Sequence, residues 1–167
     1  MKPRIVFLDI DGVLNSSQWW RDKDAVQWVD CQIDPRAVAL LNRIAPPETT
    51  RIVVSSAWRV MGRQSVSDTL ARVGVKARVV GVTPDLVRLG DYRRGMEIAA
   101  WLADNGERVG AYVVIDDDHD AGIGHQGRFV KTDFARGLTE EHVTMAHEMF
   151  ARAENDPALC GEVVRDG

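Results

Sequence analysis

The sequence predicts an α/β protein: a parallel sheet of about five strands with helices packed on both faces. Three observations carry that reading. Short, continuously apolar runs recur along the chain, as strands buried on both faces require. Segments of helical periodicity stand between them, the alternation that yields parallel strands joined by crossovers. Three of the runs also end abruptly in polar side chains, which a parallel sheet collects along its carboxyl edge. At 167 residues the chain suits one domain and is short for two. That domain is expected over 1–156, with 157–167 as a loosely held tail.

Residues 4–9 (RIVFLD) form the first strand, closed by Asp9, Asp11 and Gly12. Residues 16–33, which contain Trp19, Trp20 and Trp28, have no clean period and read as a loop or small flap. Asp34-Pro35 then supplies a cap and a first-turn proline; Val38, Leu41 and Ile44 mark a helical face, and Pro46-Pro47 stops the helix. A second strand lies in 51–58 (RIVVSSAW), with Ser55-Ser56 at its exit. A helix over about 65–73 and a strand at 77–82 (ARVVGV) follow. Residues 93–106 (RRGMEIAAWLADNG) read as a helix through Ile98, Trp101 and Leu102, ended by Asn105-Gly106. Residues 111–118 (AYVVIDDD) make a strand that again discharges into aspartates, and 127–133 (GRFVKTD) a fifth. Thr139 caps a last helix, with Glu140 and Glu141 in its first turn and Val143, Ala146, Met149 and Phe150 on its buried side.

Composition narrows the function. The net charge of −4 counts against a broadly basic nucleic-acid-binding surface, although a local basic rim is compatible with it. Lysines occur only at Lys2, Lys23, Lys76 and Lys131; the remaining basic residues are arginines. Cys31 and Cys160 match no metal or redox spacing and read as incidental thiols of a reduced protein. The first apolar run is broken by Asp9 too soon for a signal peptide or membrane span, so a cytoplasmic location without membrane partners is expected.

Two aspartates one residue apart repel unless a cation, a shared proton or solvent intervenes. Taken alone, Asp9-x-Asp11 also fits a capped turn, and the IDDDHD stretch a solvated loop. Two such clusters closing separate strands are another matter. Converging carboxylates without a neutralising partner are strongly unfavourable, and a divalent cation resolves the conflict. An all-oxygen ligand set favours Mg²⁺ over zinc and leaves room for a phosphate.

At these residues the chain resembles the haloacid dehalogenase (HAD) superfamily of phosphotransferases. FLDIDGVLN is similar to that family's first motif, at Asp9, Asp11, Val13 and Leu14; IVVSSAW to the second, at Ser55; RRGMEIAAWL to the third; and VVIDDD to the fourth. All four stand in family order, and the resemblance spans about 4–145. The wording also resembles the phosphatase domains of RNA-repair proteins, cousins of the phosphatase half of polynucleotide kinase-phosphatases.

The resemblance implies a Rossmann-like three-layer α/β/α fold with a minimal cap or none, and a phosphomonoesterase that uses Mg²⁺. Asp9 becomes the nucleophile and Asp11 the general acid and base. Asp9, Asp11, Asp116 and Asp117 form the expected metal set, and Asp118 a turn residue. Phosphate contacts are expected from Ser55, Ser56, Arg94, Arg59 and Gly12, with a cap of the following turn as the alternative for Ser56 and Arg93 the rival of Arg94 for the third motif. Arg59 fits equally well in the core beside Trp58. His119 and Asp120 read as loop residues, with support of the site from behind as the alternative, and His125, His142 and His147 as surface or helix residues. The tryptophans after the first strand could stack on a base or fold back as flap core. The implied substrates are nucleotides or 3′-phosphorylated RNA or DNA ends, with small-molecule phosphoesters as the alternative. A phosphorylated signalling receiver and a catalytically silent nucleic-acid-binding module are the readings from other classes.

Overall fold

The computed structural model describes residues 1–22, 32–86 and 93–155. At its centre lies a five-stranded sheet: β1 (Arg4–Leu8), β2 (Thr50–Val54), β3 (Arg78–Val82), β4 (Ala111–Asp116) and β5 (Phe129–Lys131). The strands run parallel in the order β3-β2-β1-β4-β5. The helices are α1 (Ser17–Asp22), α2 (Pro35–Ile44), α3 (Arg63–Arg72), α4 (Arg94–Asn105) and α5 (Glu140–Asn155). Short 3-10 turns follow β2 at Ala57–Met61 and β4 at His119–Gly122.

Strand alternation divides the core into two layers of packing. Val6 and Leu8 of β1 join a cluster with Val38 and Leu41 of α2, Leu70 of α3 and Phe150 of α5. Ile5 and Phe7 point the other way, into a cluster with Ile98 and Leu102 of α4. There the Phe7 ring meets Trp101 and Tyr112 edge-on, at 5.4 and 5.7 Å. The expected helix–sheet–helix sandwich is therefore present.

Local chemistry starts the helices. Asp34 Oδ1 accepts from the Arg36 N–H at 2.8 Å with Pro35 in the first turn, as the sequence predicts for α2. At α5 the cap is reversed: the N–H of Thr139 donates to His142 Nδ1 at 3.1 Å, one turn on. Where a loop was expected after β1, residues 17–22 form a helix instead. None of its residues is fully buried, so it carries no apolar period for the sequence to display. Lys23, Trp28, Cys31, Cys160 and the tail lie outside the described residues. Among the described residues no helix is long and apolar enough to cross a membrane.

Register positions the site. Leu8 pairs with Val54 on one side and Ile115 on the other, so Asp9, Ser55 and Asp116 leave three neighbouring strands at one level. The Ser55 N–H donates to Leu8 O at 2.8 Å and the Asp9 N–H to Ile115 O at 3.0 Å, continuing the ladders to that edge. From β1 the chain first builds outward through β2 and β3, then returns to the opposite flank as β4 and β5. The reversal opens a crevice between the carboxyl ends of β1 and β4, where ligands collect in such sheets.

Candidate active site

Asp9 and Asp116 face each other across this crevice, 5% and 1% exposed. Burial raises the Asp9 pKa to about 6, against the opposing pull of Arg94, the Ile10 N–H and the Ser56 hydroxyl. Asp116 rises to about 8, through burial first and the neighbouring charge of Asp9 second. Asp117 is raised as well, chiefly by burial. One carboxylate oxygen from each of Asp9, Asp116 and Asp117 lies within 4.8 Å of the others. Asp116 Oδ1 accepts the Asp118 N–H at 2.8 Å, whereas its buried Oδ2 accepts no hydrogen bond among the described residues and has Arg94 Nε 3.5 Å away. An all-oxygen cluster with an unsatisfied buried oxygen suits a hard divalent cation.

Arg94 spans the crevice from the first turn of α4. Its Nη1 donates to Asp9 Oδ1 at 3.1 Å and to the carbonyl of Ser55. Arg93 precedes it as an exposed residue, so Arg94 is the arginine that reaches the acids. Its backbone is set from below: the Arg94 N–H donates to Asp120 Oδ2 at 3.0 Å. Of the two sequence readings of Asp120, a loop residue or a support behind the site, this bond fits the second.

Asp11 stands apart from the three clustered acids, although it was expected among the metal ligands. Asn15 Nδ2 donates to its Oδ1 at 2.8 Å and Trp58 Nε1 to its Oδ2 at 3.0 Å, which turns the carboxylate toward the groove beside β2. Asn15 also accepts the Gly12 N–H at 2.9 Å. Gly12 has φ +76°, and a Cβ there would lie 2.4 Å from Asp117 Cγ, so both its handedness and its smallness let Asp117 reach the cluster. Thr132 Oγ1 donates to Gly12 O at 2.8 Å and pins the same turn from β5. Sequence reasoning missed Asn15, Trp58 and Thr132; only Asn15, four residues past Asp11, left a local trace.

The remaining candidates divide. Ser55 Oγ is buried at the edge and has no hydrogen-bond partner among the described residues, while Ser56 accepts the Trp58 N–H at 3.3 Å and touches Asp9. Arg59 turns away: its guanidinium grips the carboxylate of Glu97 at 2.7 and 2.8 Å, and Glu97 is completely buried. Glu97 also accepts the Leu86 N–H at 3.1 Å, so this pair ties the turn after β2 to α4. Asp118 caps the turn after β4, as expected. His125, expected as a surface or helix residue, lies in a loop and is buried, where it bonds Tyr112 and Gly95.

The acidic pocket has a volume of about 310 Å³, with Ala57 and the half-exposed Phe134 as its apolar edges. α1 docks beside it, since the Ser17 N–H donates to Phe134 O at 3.0 Å. Trp20 is exposed there, and the Arg36 guanidinium lies 5.8 Å over the Trp19 ring. The family model described as "HAD domain in Swiss Army Knife RNA repair proteins" matches residues 5–143. No curated protein and no solved structure matches the chain.

Proposed function

The chain belongs to the HAD domain family of Swiss Army Knife RNA repair proteins, and from that premise we propose that it is a Mg²⁺-dependent phosphomonoesterase acting on 3′-phosphorylated nucleic-acid ends or nucleotides. The observation that carries this reading is the convergence on Arg94. One guanidinium touches Asp9, the Ser55 carbonyl and Asp116, and so joins three strand ends to one helix start.

Asp9, Asp116 and Asp117 would hold the cation, which would neutralise the acids and the incoming phosphoryl charge. The carboxylate of Asp9 attacks phosphorus in line; the P–O bond to the leaving oxygen breaks, and that oxygen takes a proton from Asp11. A water then attacks the phosphorus of the aspartyl-phosphate and gives its proton to Asp11. The bond to Asp9 breaks, inorganic phosphate departs, and both acids return to their starting states. Arg94 and the Ser55 hydroxyl take up charge on the phosphoryl oxygens, each such donor contributing about a hundredfold or more in rate. Asn15 and Trp58 hold the Asp11 carboxyl where the leaving oxygen emerges.

The test is phosphate release from 3′- and 5′-phosphorylated oligonucleotides, mononucleotides and sugar phosphates, with Mg²⁺ and with EDTA. The reading expects Mg²⁺-dependent release with the 3′-phosphorylated ends preferred. Preference for sugar phosphates moves the substrate to small molecules, and stable phosphorylation without turnover makes the chain a receiver.

A further inference from the structure

Beside the acidic pocket lies a second cavity of about 480 Å³, within the size range of small-ligand sites. Its walls are Trp58, Val60, Met61 and Ile33, with Thr69 as a hydroxyl at one side. Asp11 and Ala57 line both cavities, so the two adjoin at the side chain proposed to protonate the leaving oxygen. Val60 is 80% exposed and Met61 46% exposed, on the short turn that also carries Trp58. Adjacent apolar side chains held in water next to a polar site mark a contact surface rather than a core.

We infer that this groove is the subsite for the terminal nucleobase of the leaving nucleoside, with Trp58 and Met61 packing against the base. The inference rests on the phosphatase reading and names what lies beyond the leaving oxygen. Direction is set by Asp11: its Oδ2 is bonded to Trp58 Nε1 at 3.0 Å, so the oxygen it serves emerges on the groove side. Phe134, the other apolar edge, borders the acidic pocket and not the groove. An indole and a thioether offer polarisable surface that any base can cover, so binding would tolerate all four bases.

The experiment compares two oligonucleotides with a 3′-phosphate, identical except that one lacks the base on its terminal sugar. Stacking on one aromatic group predicts that wild type prefers the intact end by about fivefold or more in kcat/KM. Met61→Ala and Val60→Ser, both at exposed positions, should shrink that preference toward unity. Equal turnover of the two oligonucleotides by wild type overturns the inference and leaves the phosphatase reading standing. A preference that both variants retain overturns it too, because the base then lies elsewhere. If neither oligonucleotide is hydrolysed, the phosphatase reading fails, and titration with free adenosine decides the groove. A shift of the Trp58 indole N–H resonance that Met61→Ala weakens supports the subsite; an unmoved resonance at millimolar adenosine overturns it.

Discussion

His125 Nε2–H donates to the carbonyl oxygen of Gly95 at 2.9 Å, one residue beyond Arg94. A carbonyl only accepts, so the proton sits on Nε2, and Nδ1 accepts from the Tyr112 hydroxyl at 3.0 Å. Gly95 permits the approach: a Cβ there would lie 2.3 Å from Ile123 O. With Asp120 bonded to the Arg94 N–H, the loop after β4 grips the first turn of α4 at two successive residues. The arginine is thus positioned by a buried imidazole and a half-buried carboxylate, neither of which lines the acidic pocket.

This buried imidazole makes stability depend on pH. Burial lowers the His125 pKa from 6.5, so below about that pH the unfolded chain takes a proton that the folded chain resists. Stability is therefore lost as the pH falls through this range, and His142 contributes with the same sign. Thermal unfolding of wild type and His125→Gln from neutral to mildly acidic pH should show the two curves converging as the pH drops. Parallel curves would exclude a neutral buried His125.

The acids carry the opposite sign. The folded pKa values of Asp9 and Asp116, about 6 and about 8, lie above the unfolded value of 3.8. Without a cation their contribution to stability is fully present below about 4 and is lost as the pH rises toward 8. A bound divalent cation favours the ionised pair, so Mg²⁺ should raise Tm more at pH 8 than at pH 5. Asp116→Asn should abolish the difference, and a Mg²⁺ effect independent of pH would contradict the assigned ligands.

Breaking the buried Arg59–Glu97 pair should be costly. Glu97 is completely buried, and Glu97→Ala leaves the Arg59 guanidinium with only the longer, half-exposed pairing to Asp85 at 3.7 Å among the described residues, which calls for about 3 kcal/mol of destabilisation. The double variant Arg59→Met with Glu97→Leu should recover most of it. A denaturant titration of the single and double variants measures this coupling; additive losses would mean that the pair does not act as a unit.

Gly12→Ala and Gly62→Ala separate backbone strain from crowding. Both glycines have positive φ, +76° and +84°, and Gly62 with ψ +151° sits where essentially only glycine is found, so each substitution should cost about 1–3 kcal/mol. At Gly12 the added methyl also meets Asp117 at 2.4 Å, whereas no described residue lies within 4 Å of it at Gly62. Stabilisation by Mg²⁺ should weaken in the Gly12 variant and persist in the Gly62 variant. Equal Mg²⁺ responses would place Asp117 outside the metal set.

What the sequence displayed were features that repeat locally. Apolar runs closing in Asp9, Ser55 and Asp116 announced both the parallel sheet and its chemical edge, because burial on two faces leaves no polar residue until a strand ends. Helix α1 stayed hidden because it buries no residue fully. The contacts that hold the site are long-range: Trp58 lies 47 residues from Asp11, Glu97 38 from Arg59 and His125 30 from Gly95. No periodicity encodes such pairs; they exist only once β1, β2 and β4 are in register. The same holds for Asp11, whose carboxylate is turned from the other acids by a tryptophan on a different strand's exit.

The most direct test of the proposed chemistry is phosphate release from a 3′-phosphorylated oligonucleotide in Mg²⁺ by wild type and Asp9→Asn. If Asp9 forms the covalent intermediate, the variant keeps its fold and loses at least about a thousandfold in turnover. Release by Asp9→Asn at the wild-type rate would contradict the account.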